Sequence, residues 1–176
     1  LRRRYQYHGY VHLKLLPGVT TDQVERAVQL ADRVSVNLEA PSPDRLARLS
    51  ARKDFGVQLM PTLQTASQLI RARERRTKAS SITTQFVVGA AGESDRELLA
   101  TSSRLYRELG LARTYYSAFT PIPDTPLAHH SPTNPLRQHR LYQSDFLLRQ
   151  YGFEFEELVF DDGENLSMAW DPKVAW

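Results

Sequence analysis

Apolar and polar positions alternate in four short runs of the chain, and a spacing of three to four residues takes over between them. The alternating runs are "YVHLKLL" (10 to 16), "RVSVNLE" (33 to 39), "TQFVVGA" (84 to 90) and "RTYYSAF" (113 to 119), each rich in the β-branched and aromatic residues of strands. In the second run Val34, Val36 and Leu38 point one way while Ser35, Asn37 and Glu39 point the other. The first run repeats the pattern, with Val11, Leu13 and Leu15 alternating with His12 and Lys14.

The intervening segments carry helix signals. "TTDQVERAVQLAD" places Val24, Ala27, Val28 and Ala31 on one face behind a capping box of Thr20 and Gln23. Ser42 and Pro43 open "SPDRLARLS", and "LQTASQLIRARERR" follows Pro61 and Thr62. Ser94 with Glu97 opens "SDRELLATSSRLYREL", which closes at Gly110, and "PLRQHRLYQSDFLLRQYG" reads as a last helix ending at Gly152. The stretch from Phe55 to Ser81 is long for one crossover helix, so an extended loop is expected there.

Strands alternating with helices predict an α/β fold whose parallel strands are joined by right-handed crossovers. The helices would cover the apolar strand faces and leave Ser35, Asn37, Glu39 and Lys14 inside a curved sheet. Ordinary barrels fill that space with branched apolar side chains, so a polar interior points to an incomplete parallel barrel that holds a polar ligand. An unpartnered buried polar group costs about 1–3 kcal/mol, so something is expected to pair with these. For Lys14 a salt bridge to Glu39 on the next strand is expected in preference to Schiff-base chemistry.

Composition narrows the classes. The 176 residues are 41% hydrophobic, enough for one core, and no run of apolar residues reaches the length of a membrane span. The N-terminus "LRRRYQYHGY" has no signal-peptide stretch, so a cytoplasmic location is expected and the sequon Asn165-Leu166-Ser167 carries no weight. Cysteine is absent, which excludes disulfides and thiolate metal ligands within these residues. His8, His12, His129, His130 and His139 form no metal-binding pattern. The net charge is +3, with arginines clustered at Arg2 to Arg4 and along Arg71, Arg73, Arg75, Arg76 and Lys78; a solvated face explains each as well as a phosphate patch does. "NLEAP" approaches the acid motif of a (β/α)8 glycosidase, but no second strand carboxylate accompanies it. A non-catalytic nucleic-acid binding module lacks an aromatic platform beside the arginine-rich helix.

In order along nearly the whole chain, "GYVHLKLLPG", "ADRVSVNLEAPSPDRL", "TTQFVVGAAGESDRELL", "RTYYSAFTPIPDTPL" and "HRLYQSDFLLRQYGF" resemble the radical S-adenosylmethionine superfamily. More narrowly they resemble the DNA modification or repair radical SAM proteins associated with uracil-DNA glycosylase. The resemblance implies that residues 1–152 supply strands three to six of a partial (βα)6 barrel. Residues 153–176 would lead into a further region, of helix-hairpin-helix type in such relatives. It implies S-adenosylmethionine held by Ser35, Asn37 and Glu39 with Lys14 nearby, adenine packed on Val87 and Gly89, and Phe119 among the cofactor-binding residues. "QFVVGAAGE" resembles the superfamily's G-x-I-x-G-x-x-E pattern, with Gln85 at the first glycine position and Glu93 one residue late. "FTPIPDTPL" resembles a Pro-x-Pro-Gly-Thr-Pro turn, with Asp124 in place of glycine.

The same resemblance implies a [4Fe-4S] cluster on a C-x-x-x-C-x-x-C loop, DNA or another nucleic acid as partner, and a functional link to a uracil-DNA glycosylase. With no cysteine here, the cluster's ligands are expected upstream of Leu1 in a longer protein. That intact protein would be the enzyme, and this segment alone would be inactive. Its first strand is expected to present an open edge with Leu13 and Leu15 uncovered.

Overall fold

A computed structural model describes residues 2, 4–74 and 80–176. Arg3, Arg75, Arg76 and Lys78 of the two basic clusters lie outside the described residues.

Strands β1 (His12–Lys14), β2 (Arg33–Ser35), β3 (Ser81–Val88) and β4 (Arg113–Ala118) form one sheet in the order β1-β2-β3-β4. Every pairing is parallel, the first two strands included. Helices α1 (Thr21–Leu30), α2 (Pro43–Leu49), α3 (Met60–Glu74) and α4 (Asp95–Leu109) make the crossovers, and α5 (Pro135–Phe146) follows β4. The start signals hold: Thr20 with Gln23 and Ser94 with Glu97 form complete capping boxes, and the Ser42 hydroxyl accepts from Arg45 N. Gly110 ends α4 at φ +65°, the left-handed conformation glycine adopts without strain.

Three expectations are corrected. Over the described residues from Phe55 to Glu74 there is no extended loop: a wide π turn over Phe55–Leu59 runs straight into α3, and residues 75–79 of that stretch lie outside the described residues. Pro61 lacks the N–H an ordinary turn would use, and the widened turn ahead of it accommodates the missing bond. The ladder of β2 is shorter than its alternating pattern, and β3 starts earlier, at Ser81. The last helical stretch changes at Leu147 into a second π turn, Leu147–Tyr151, before Gly152 at φ +72°.

The register sorts side chains by face. Leu13, Val34, Ile82, Thr84, Phe86, Thr114 and Tyr116 share one face, and His12, Lys14, Arg33, Ser35, Thr83, Gln85, Arg113 and Tyr115 share the other. The first face carries the core, where Val34, Leu38 and Phe86 are fully buried against Val24, Leu63, Leu98 and Leu141 of the helices. Crossovers of one hand between strands in sequential order put α1 to α4 on that side, so no crossover helix covers the polar face. Leu15 is buried in the same core, so of the two leucines expected to be uncovered only Leu13 is exposed.

The two borders of the sheet differ. Along β4 the outward N–H groups of Thr114, Tyr116 and Ala118 donate to Tyr106 Oη (2.9 Å), Tyr142 Oη (3.0 Å) and Gln138 Oε1 (2.6 Å). Tyr142 also donates back to the Tyr116 carbonyl at 3.0 Å. Side chains of α4 and α5 thus occupy the positions a further strand would need. On the opposite border β1 is exposed along its length, beside the exposed Tyr10 and Leu16.

Between α4, α5 and β4 lies a buried polar cluster. The Asp145 carboxylate is fully buried, accepts from Tyr106 Oη and pairs with Arg149 Nε at 2.7 Å, while Tyr116 Oη bonds Ser102 Oγ at 2.8 Å. Burial first, and the Asp145 charge second, push both phenols well above the ordinary tyrosine range. Folded tyrosines with raised pKa stabilise fully below the unfolded value, about pH 10, and that stability is lost as pH climbs beyond it. The urea midpoint is therefore expected to fall above about pH 10, and to fall less steeply in Tyr116→Phe. A midpoint that stays flat through that range would remove the two phenols from the alkaline limit.

Candidate functional site

The C-terminal ends of the strands open into a groove of about 600 Å³. In parallel sheets ligands bind at this end, because loops diverge there and leave a crevice. Ser35 lies level with Thr83 but Glu39 with Phe86, so four residues of one strand's continuation span three of the next. The chain bulges, and the Thr84 hydroxyl fills the gap, donating to Val36 O (2.7 Å) and receiving Leu38 N (3.2 Å). Glu39 follows at φ +65° and lines the groove. Its carboxylate pairs with Lys53 at 2.8 Å, so the expected Lys14–Glu39 bridge does not form. The bulge carries Glu39 toward the loop before α3, away from β1.

The other walls are mostly apolar, with Ser50, Ser117 and Thr120 among them. Val87 of β3, Ala90 beyond it, Phe119 at the end of β4 and Ile122 with Leu127 from the following loop face Leu46 and Leu49 of α2. Thr133 brings that loop back onto the sheet, its N–H reaching Phe119 O at 2.9 Å and its hydroxyl Val88 O at 2.6 Å. Gly89, at φ +92°, passes so close that a Cβ would collide with the Thr133 hydroxyl. Its N–H and that of Ala91 (3.1 Å) donate to the buried Glu93 carboxylate. Arg137 backs this turn, bonding Glu93 O at 2.8 Å and Asp95 Oδ1 at 2.7 Å.

The seven predicted cofactor residues therefore divide. Glu39 beyond β2, Val87 of β3 and Phe119 just past β4 converge on the groove. Lys14, Ser35 and Asn37 line a separate hollow of about 190 Å³ lower on the polar face, with His12, Gln85 and Tyr115. His12 Nε2 lies 2.9 Å from Ser35 Oγ, and burial together with the Arg33 charge holds its imidazole below the ordinary histidine range. Gly89 shapes the turn behind the groove and lines neither space. Sequence reasoning missed Lys53, which no strand pattern marks, and the inward role of Glu93.

No family model, curated protein or solved structure matches this chain. Among the described residues no group of three or more His, Cys, Asp or Glu comes together, and no helix is long and apolar enough to cross a membrane.

Proposed function

We propose that this chain forms one side of an incomplete parallel barrel of the radical SAM type and holds the adenosyl portion of S-adenosylmethionine in the groove at its strand ends. The observation that carries the reading is the meeting in that groove of Glu39 from the chain beyond β2, Val87 of β3 and Phe119 just past β4. Its volume lies within the range of small-ligand sites. Mostly apolar walls suit a purine ring, and the Glu39–Lys53 pair offers an acceptor for hydroxyl or amino groups beside a donor for a carboxylate. Asp124 adds support: it takes φ +61°, the conformation that the glycine of the resembled turn would adopt freely. The covered apolar face, the polar opposite face and the sealed β4 border suit a barrel whose last strand is β4.

When bound, S-adenosylmethionine supplies an activated adenosyl group. The chain's own part is to seat the ring, to anchor the polar end and to exclude water with the loop that Thr133 ties down. An iron-sulfur cluster does not fit these residues, because none of them is a cysteine. A nucleic-acid substrate belongs to the same proposal.

Calorimetric titration with S-adenosylhomocysteine tests it. Glu39→Gln should bind about tenfold more weakly, through loss of a charge-assisted hydrogen bond. Equal affinity in the variant and the parent, or no binding to either, would remove the groove as the adenosyl site.

A further inference from the structure

We propose that the hollow outside the β4 border holds single-stranded nucleic acid, with a base against Phe146 and phosphates against Arg113 and Lys173. The hollow measures about 420 Å³. Arg113 enters it from the start of β4, Phe146 from the end of α5, Tyr151 from the π turn that follows, and Lys173 from the terminal turn Pro172–Ala175. In an ordinary helix, neighbours on one face are three or four residues apart. The wider turn, closed by the Gly152 N–H on Leu147 O, brings Phe146 and Tyr151 to 5.7 Å between ring centroids although they are five apart. Both rings stay in solvent over about half of their surface, 49% and 57%.

The carboxylates beside this hollow are already engaged. Asp145 is committed to Tyr106 and Arg149, and Asp171 gives one oxygen to the Gln143 amide and the other to Lys173 N at 2.9 Å. Asp145 feels the Arg113 charge, but none of the ion pairs among the described residues includes Arg113 or Lys173. Ring faces hold these cations instead. The Arg113 guanidinium lies 5.0 and 5.3 Å from the ring centroids of Tyr115 and Tyr142, and Lys173 Nζ lies 4.7 Å from that of Tyr151. A ring fixes a cation without cancelling its charge, so both remain open to an anion. Arg113 Nε is also buried without a partner.

A bare anion would make no use of the exposed rings, and an apolar segment would leave the cations uncompensated. A nucleotide strand supplies both needs, a flat base for a ring and a phosphate for a cation. Bases in a duplex are stacked on one another, so the strand is single. That it is the substrate of the groove rests on the proposed function; the hollow itself asks only for unpaired nucleotides. No residue lines both spaces.

Fluorescence anisotropy of the 176-residue chain with a labelled strand of twelve thymidylates tests the assignment. The strand should bind, and an abasic strand of equal length should bind about tenfold more weakly. Phe146→Leu keeps an apolar contact with the fold but loses the flat ring, so affinity should fall about tenfold at an unchanged melting midpoint. Lys173→Gln should weaken binding about fivefold and make the slope of log affinity against log salt shallower by about 0.7, which lost packing alone would not do. S-adenosylhomocysteine affinity should be unchanged in both variants, and strand affinity unchanged in Glu39→Gln, so this assignment and the adenosyl reading can fail separately. No binding, an abasic strand that binds equally, or either variant within about twofold of the parent overturns the hollow as a strand site. Equal competition by an oligoglutamate of the same charge overturns the choice of nucleic acid in favour of an acidic peptide.

Discussion

Replacing Asp145 with alanine should destabilise the fold by about 3 kcal/mol, because it breaks a buried ion pair and strips Tyr106 of its acceptor. The figure sits at the lower end for such pairs, since the Arg149 side chain keeps 16% of its surface exposed and regains some solvation. The damage should reach β4, because the Tyr106 oxygen that donates to Asp145 also accepts from Thr114 N. Asp145→Asn keeps one acceptor and should lose less. Urea denaturation would read both as a lowered midpoint at constant slope. An alanine variant within about 0.5 kcal/mol of the parent would show that the cluster holds nothing together.

The second large effect is expected at Glu93. Its carboxylate is the acceptor for two N–H groups of the turn beyond β3, and alanine would strip that partner from the buried Ala91 N–H and the half-buried Gly89 N–H. A loss of about 1–3 kcal/mol follows, set mainly by the buried Ala91 donor. Arg137 would still hold the Glu93 carbonyl and Asp95, so the helix contacts should survive while the turn loosens. Ala90 lies in that turn and in the groove wall, so S-adenosylhomocysteine affinity should drop with stability. Glu93→Gln should rescue only partly, because its amide NH2 would face one of the two N–H donors. Full rescue by glutamine, or an alanine variant with normal stability and binding, would contradict this account of the turn.

These two residues also mark where sequence reading stopped. Local rules located the helix starts, because a capping box needs only residues three apart, as at Thr20 and Ser94. Alternation identified the covered face at Val34, Val36 and Leu38, because the core admits one side of a strand. It failed one step later, at Glu39. A bulge is a mismatch between two strands, and the Thr84 hydroxyl that fills it lies far along the chain. Lys53 was invisible for a related reason: what brings it to Glu39 is the turn of the chain into α3, not a spacing. Asp145 reads in sequence as an ordinary polar position on an amphipathic helix, and only the packing of Tyr106 and Arg149 around it makes it buried.

One border of the sheet is sealed by side chains of α4 and α5, and among the described residues no comparable bonds close the β1 side. Association through backbone pairing consequently has a stopping point. Two copies joined β1 to β1 about a twofold axis would use up both open borders and present only sealed ones. Fibril growth needs a fresh border after every addition. By this route residues 1–176 by themselves can form a pair, but not the start of a filament.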